Sequence, residues 1–362
     1  MPSLTDTVAL SLWSLAARRR QGPSFHPLLA TSAPRAGDDP PDSLPAMLEC
    51  AGACASESLA RDLREQAQAA LERASAAGID PVPWGDARYP PLLAAIPDPP
   101  VVLWTRGDAG CLARPAVAVV GSRAASEYGL EAASRLAGEL AEAGMVIVSG
   151  LARGVDSAAH RGALGAGGLT VAVLGSGVDV IYPAEHASLA TAIALHGAVV
   201  SEYPPGTPPL PQYFPLRNRI ISGLCLGVVV IEAAERSGSL ITANCASDQG
   251  REVMAVPGNI LSGRFRGSHA LLRDGAAVVD EASDVLAELG RSSLQALSGK
   301  GAGGEPPPDP VLAAMAAGEA YDLDALALGT GLAPPALLPR LLDLELRGWV
   351  RRVGGGRFMR AR

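Results

Sequence analysis

Lysine is all but missing. The 362-residue chain has one, Lys300, and the rest of its 30 basic residues are arginines. A phosphate-binding GxxxxGK[ST] loop needs its lysine, and Lys300 lies in a Gly-rich stretch outside that pattern, which excludes a P-loop. A Schiff-base lysine is excluded too, because Lys300 falls in a linker. Arginine forks are left as the main means of holding phosphate. A dinucleotide fingerprint is absent as well, since no strand is followed by GxGxxG. The five cysteines (Cys50, Cys54, Cys111, Cys225, Cys245) form no CxxC pair. Cys50 and Cys54 lie in an Ala-rich, helix-like stretch and read as packing residues, because free cysteine behaves as a small hydrophobe. Aromatics are only 4% of the chain. No apolar run reaches the roughly 18 residues of a membrane span. The first residues are apolar but carry Asp6 and no early basic residue, so they do not read as a secretory signal; the expected compartment is the cytoplasm. Net charge is −7, so any surface for a polyanion must be local.

What is present is a repeated strand, small-residue loop and helix. Val117 to Val120 breaks into Gly121-Ser122-Arg123, and Met145 to Ser149 breaks into the loop Gly150 to Gly154 with Arg153. Thr170 to Leu174 leads to Gly175-Ser176-Gly177, Asp179 and Tyr182-Pro183; Leu226 to Ile231 leads to Ala233 to Gly238 with Arg236; Glu252 to Val256 ends in Pro257-Gly258. Such alternation predicts an α/β fold, a Rossmann-like, doubly wound, mostly parallel sheet with its loops gathered on one edge.

The sequence divides into four parts. Residues 1–80 are Ala/Leu-rich with helical spacing and read as a small helical domain; its Arg18-Arg19-Arg20 run reads as a solvated helix end. Residues 81–290 hold the sheet, entered through a proline-rich connector from Asp80 to Pro100. Residues 291–308 are rich in Gly, Ser and Pro and read as a flexible linker. Residues 309–362 offer three short helices and a basic hairpin with a glycine turn, the order of a winged helix. From Arg340 to Arg362 seven arginines face only Asp343 and Glu345. Arg347, Arg351, Arg352 and Arg357 therefore form a candidate second surface for DNA or a partner.

Each motif has two readings. Gly121, Ser122 and Arg123 make an anion site at a helix start, or a tight turn with a surface arginine. Asp156 and His160 share a helical face and could be a base with its orienter; capping by Asp156 and a bond from His160 to a neighbouring loop fit better, because no reactive partner is tied to them. Tyr182 could stack on a base or pack before Pro183. Arg217 and Arg219 flank Asn218 and diverge by about 200° on a helix, so one meets ligand while the other pairs with an acid such as Glu202 or Glu232. Arg236, Gly238 and Ser239 form a further N–H cradle, or a cap. One mononucleotide needs one or two such loops; a row of them suits an extended polyanion.

In order along the chain, these motifs resemble the DNA-processing protein A (DprA/Smf) family. The resemblance covers about Pro90 to Leu289. It rests on Gly121-Ser122-Arg123, Tyr128-Gly129, the run Ser149 to Asp156 with His160, and Tyr182-Pro183. Further on it includes Ser201-Glu202-Tyr203-Pro204, Phe214-Pro215 with Arg217-Asn218-Arg219, the run Ser237 to Thr242, and Ala255 to Gly258. The ends are similar too: a SAM-like helical domain before the sheet and a winged helix after it. The resemblance implies a non-enzymatic protein without metal or cofactor. It would bind and protect incoming single-stranded DNA in natural transformation, dimerise through the Rossmann domain and help load RecA recombinase. Apart from the resemblance, the winged helix could bind duplex DNA, or its hairpin could meet RecA or its own core. The resemblance implies Arg123 and the Arg217-Asn218-Arg219 element as DNA contacts. Many members carry a lysine after Tyr-Pro, where this chain has Ala184; Arg153 or Arg236 would then supply that phosphate contact. The alternative is a nucleotide-cleaving, phosphoribohydrolase-like enzyme on a related scaffold. Such enzymes carry Pro-Gly-Gly-x-Gly-Thr, whereas here Pro257-Gly258 is followed by Asn259-Ile260.

Overall fold

The computed structural model describes residues 3–21, 44–50, 56–299, 309–316, 320–333, 337, 340–341, 344, 349–353 and 357–360. Its centre is a set of strands made almost wholly of Val, Ala and Ile. They are β3 (Ala116–Val120), β4 (Val146–Ser149), β5 (Thr170–Leu174), β6 (Gly197–Ser201) and β7 (Gly227–Val230), and every residue in them is buried. Continuous apolar runs of this kind are what a parallel strand needs when helices cover both of its faces. With β1 (Asp80–Pro83), β2 (Val102–Gly107), β8 (Glu252–Ala255) and β9 (Ala277–Val278) they form a nine-stranded sheet of order β1-β2-β6-β5-β4-β3-β7-β8-β9. Strands β3 to β9 run parallel; β1 and β2 are antiparallel additions at one edge. The proline-rich segment expected as a connector therefore contributes an edge strand, a place where proline's missing N–H does no harm.

Alternate residues of each strand feed two cores. Val171 and Val173 pack with α8 (Tyr213–Gly223) and α9 (Ser239–Asp248), through Ile220, Ile221, Ala243 and Ala246. Ala172 and Leu174 pack with α7 (Ala187–Leu195). That second core also takes in the N-terminal helices α1 (Leu4–Gln21), α2 (Leu44–Cys50) and α3 (Glu57–Ala76), through Val8, Leu44, Leu63 and Ala67. The helices read from sequence as a domain of their own thus share a hydrophobic core with the sheet, and residues 1–286 form one compact unit. The basic triplet Arg18 to Arg20 ends α1, with side chains outside the described residues. The remaining sheet helices are α4 (Pro91–Ala94), α5 (Glu127–Glu142), α6 (Val155–Gly165) and α10 (Arg266–Arg273).

Helix α11 (Ala282–Gly299) overruns the expected end of the domain at residue 290. Its Leu294, Gln295, Ala296 and Leu297 are good helix formers, and glycine and proline resume only from Gly299. The rest of the expected linker, 300–308 with Lys300, lies outside the described residues. In the second unit, residues 287–362, helices α12 (Pro310–Ala313) and α13 (Leu323–Thr330) pack with a three-stranded sheet of β10 (Ala320–Tyr321), β12 (Arg357–Arg360) and β11 (Val350–Val353). Val311, Leu326, Leu337, Leu341, Val350 and Phe358 fill its core. The hairpin turn at 354–356 lies outside the described residues.

Candidate nucleic-acid interface

The strand order reverses between β3 and β7. From β3 the chain winds outward through β4 and β5 on one side, and through β7 and β8 on the other. Loops leaving β3 and β7 must part at such a point, which is why open α/β sheets bind ligands there. A cavity of about 520 Å³ opens at that position, lined by Gly121 to Ala124, Ala152, Asp156, Phe214, Arg217, Asn218, Arg236 and the Ser237–Ser239 turn.

The β3 loop is held from both sides. Ser122 N–H donates to the Glu232 carbonyl (2.7 Å), and Val155 N–H donates to the Ser122 carbonyl (3.2 Å). Gly154, at φ +75°, lets the two loops touch; a Cβ there would lie 2.2 Å from the Ser122 carbonyl oxygen. Helix α5 starts at Ser126, whose hydroxyl caps Gly129 N–H (3.1 Å). The buried Glu232 carboxylate accepts from Ser126 N–H (3.1 Å). Arg123, projecting from this scaffold, is exposed and stands over the Phe214 ring, 5.5 Å from its centroid. Phe214 in turn meets Tyr182, with ring centroids 5.4 Å apart, and Tyr182 is 45% exposed. A guanidinium and two rings thus form one continuous surface. Phe214 stands in the Phe214-Pro215 motif of the resemblance but not among the residues expected to meet DNA; the signal for that role was its place four positions before Asn218, one helical turn away on α8.

The basic element of α8 divides. Arg217 is buried; it donates to the carbonyls of Gly150 (2.8 Å) and Val173, and its Nε to Asn218 Oδ1 (3.2 Å). Burial pulls its guanidinium down to about 10, opposed by the Asp156 carboxylate. It lines the floor of the cavity and braces the ends of β4 and β5. Asn218 also lines the cavity and donates to the Gly238 carbonyl (3.3 Å), tying α8 to the β7 loop. Arg219 points away, with Nε on Asp98 (2.8 Å) and Nη2 on Glu202 (2.6 Å). Of the two acids weighed for an internal pair, Glu202 takes that place; Arg219 is occupied inside the protein and does not face the cavity.

Other residues fall as follows. Gly121, Ser122, Arg236, Gly238 and Ser239 line the cavity, with Arg236 exposed. Arg153 is exposed but outside the lining, with Nε 2.5 Å from Glu185 Oε1. That bond holds Glu185 below the usual carboxylate range. Asp156 accepts from the N–H groups of Gly150 (3.1 Å) and Ala152 (3.4 Å), so it braces the loop before α6 instead of capping the helix, whose N-cap is Gly154 with no side-chain cap bond; burial raises its pKa. His160 bonds a strand and not a loop: its Nδ1 lies 2.7 Å from Oγ1 of Thr170, the first residue of β5, and burial holds its ring down at about 3. Asp179 braces Gly206 N–H (2.9 Å). Leu151 takes φ +56°, a conformation L-residues resist, held by its buried side chain and the His186 ring on its carbonyl (2.9 Å). In the second unit Arg357 is exposed on β12, the side chains of Arg351 and Arg352 are outside the described residues, and so is Arg347 altogether.

The family model for DNA recombination-mediator protein A matches residues 81–290, and that for the DprA winged helix domain matches residues 295–356. Protein Smf of Escherichia coli is 44% identical over 277 residues, 74% of each chain. DNA processing protein DprA of Streptococcus pneumoniae is 50% identical over 201 residues, 56% of this chain and 71% of its own. Among solved structures, DNA processing protein A from Streptococcus pneumoniae superposes with TM-score 0.64 at 38% identity, covering 79% of this chain and 94% of that one. The Helicobacter pylori protein, whose structure describes a single-stranded DNA binding mode, superposes with TM-score 0.54 at 29% identity, covering 59% and 96%.

Proposed function

The chain belongs to the DNA recombination-mediator protein A family, and from that premise we propose that it binds single-stranded DNA along the carboxyl edge of its sheet. The observation that carries this reading is the row Arg123, Phe214 and Tyr182 beside the cavity at the switch point. A base stacks on an exposed ring whatever its identity, and a guanidinium beside the ring holds the phosphate that follows. Gly121, Ser122, Gly238 and Ser239 let the backbone approach, and Arg236 adds charge on the far wall.

The protein acts as a mediator, not as an enzyme. Asp156 is engaged by two backbone amides and His160 is buried and uncharged, which leaves that pair no means of moving a proton at the cavity. In this role it protects incoming strands during natural transformation, passes them to RecA recombinase, and works in the cytoplasm as a homodimer joined through the Rossmann domain. The winged helix, with Arg357 exposed on its hairpin, supplies a second contact, to duplex DNA. No helix among the described residues is long and apolar enough to cross a membrane.

The test is fluorescence anisotropy with labelled single- and double-stranded oligonucleotides across a salt series. The expected result is a single-strand preference that Arg123→Ala abolishes. Equal binding of duplex that survives Arg123→Ala would overturn the assignment.

A further inference from the structure

The loop after β8, residues 257–265, lies next along the same sheet edge and is built with unusual care for a surface segment. Phe265 is pressed against Gly258, where a Cβ would fall 2.2 Å from the ring. His269 Nε2 contacts the Gly258 carbonyl (3.1 Å). Asn259 Oδ1 accepts from Leu261 N–H (2.7 Å), and Ser262 Oγ donates to the Asn259 carbonyl (3.1 Å) and accepts from Arg264 N–H (3.3 Å). Tyr128 packs edge-on to Phe265 at 5.9 Å, with its hydroxyl on the Pro257 carbonyl (3.2 Å).

This braced loop does not use its own apolar side chains. Ile260 is 79% exposed and Leu261 88%. A lone exposed apolar residue needs no explanation, but here two adjacent ones sit on an ordered tip with arginines behind them. Arg264 is exposed and donates to the carbonyl of Ala124 (2.7 Å), a residue that lines the cavity. Its charge is partly matched by Glu232 at 3.6 Å. Arg266 is exposed and has no ion pair among the described residues. The loop is therefore joined directly to the Arg123 loop.

We infer that the β8–α10 loop is a second stretch of the single-strand track, with Arg266 and Arg264 meeting phosphates and Ile260 and Leu261 lying against base faces. From β5, which carries the Tyr182 loop, to β8 the sheet spans roughly 19 Å at about 4.8 Å per interval. A strand seated on the Arg123, Phe214 and Tyr182 row reaches the β8 loop only if it continues across that span, so a long strand engages the extra loop while a short one seated on the row leaves it empty. The inference rests on the single-strand reading proposed above.

The full-length protein is titrated against oligothymidylates of about 4 and about 16 nucleotides. The variants are Ile260→Ser/Leu261→Ser and Arg266→Gln, all at exposed positions. The double variant weakens the long oligonucleotide roughly fivefold or more and leaves the short one unchanged. Arg266→Gln lowers the salt slope for the long one by about one. Unchanged binding of both lengths overturns the inference, as does equal weakening of both. Intact DNA binding with altered self-association gives the tip to a second copy and overturns it as well. If the wild type ignores both oligonucleotides, the single-strand reading itself has failed.

Discussion

Arg217 and Arg219 stand two positions apart on one helix and end in opposite surroundings. Arg217 donates to the carbonyl oxygens of Gly150 and Val173 and to Asn218 at the cavity floor, while Arg219 is clasped by the carboxylates of Asp98 and Glu202. Removing Arg219 leaves two acids in the interior without their counter-charge. Arg219→Gln is expected to lower stability by about 3 kcal/mol or more, read as a shift in urea midpoint. DNA affinity of the fraction that remains folded should hold. A selective loss of affinity at full stability would make Arg219 a contact after all.

That divergence was readable in outline from sequence, because a helix turns residues i and i+2 to different sides. The sheet was readable for a similar reason: strands such as Val117 to Val120 are apolar throughout, a pattern that only burial on both faces explains. The row of Arg123, Phe214 and Tyr182 was not. Arg123, Tyr182 and Phe214 are far apart in the chain, and the row forms because Phe214, on α8, meets Arg123 of the β3 loop on one side and Tyr182 of the β5 loop on the other. The edge strand β1 was missed because Pro81 and Pro83 argue against pairing, and only the open side of an edge tolerates them. Helix α11 runs to Gly299, into the stretch read as a linker, since the serines there hid the helix formers Leu294 to Leu297.

His160 gives stability a pH dependence of known sign. Its Nδ1 faces the hydroxyl of Thr170, which already donates to Ile147 (2.7 Å), so Nδ1 carries the proton, and the buried Nε2 has no partner among the described residues. The folded ring titrates at about 3, against 6.5 in the open chain. Between these values the unfolded state binds the extra proton. Stability from this group is therefore full above pH 6.5 and falls toward pH 3, by about 1.4 kcal/mol per unit. His160→Asn keeps a donor toward Thr170 and removes the titration. Urea melts at pH 4.5 and pH 7 should differ less in the variant than in the wild type. An unchanged difference would mean that His160 is protonated in the native state.

Glu185 competes for Arg153. Both side chains are exposed, and an exposed pair is held weakly enough for a phosphate to take the acid's place. Glu185→Gln is expected to strengthen single-strand binding and to steepen its salt dependence by about one counterion. The gain should vanish when Arg153→Ala is added. A gain that persists without Arg153 would reflect only the loss of negative charge near the sheet edge.

Arg123 and Phe214 touch, yet they should fail differently. The guanidinium acts on phosphate, so Arg123→Ala should reduce affinity most at low salt and lower the slope of log affinity against log salt by about one. The ring acts on a base, where stacking contributes about 1–3 kcal/mol and is nearly blind to salt. Phe214→Ala should therefore keep a large loss of affinity at high salt, where the loss from Arg123→Ala has faded. Because Arg123 rests on the Phe214 ring, losing the ring also frees the guanidinium, and the two losses should not add. A double variant that binds as weakly as Phe214→Ala alone would show that the ring positions the arginine. Full additivity would mean that base and phosphate are held independently, and that the 5.5 Å contact has no part in recognition.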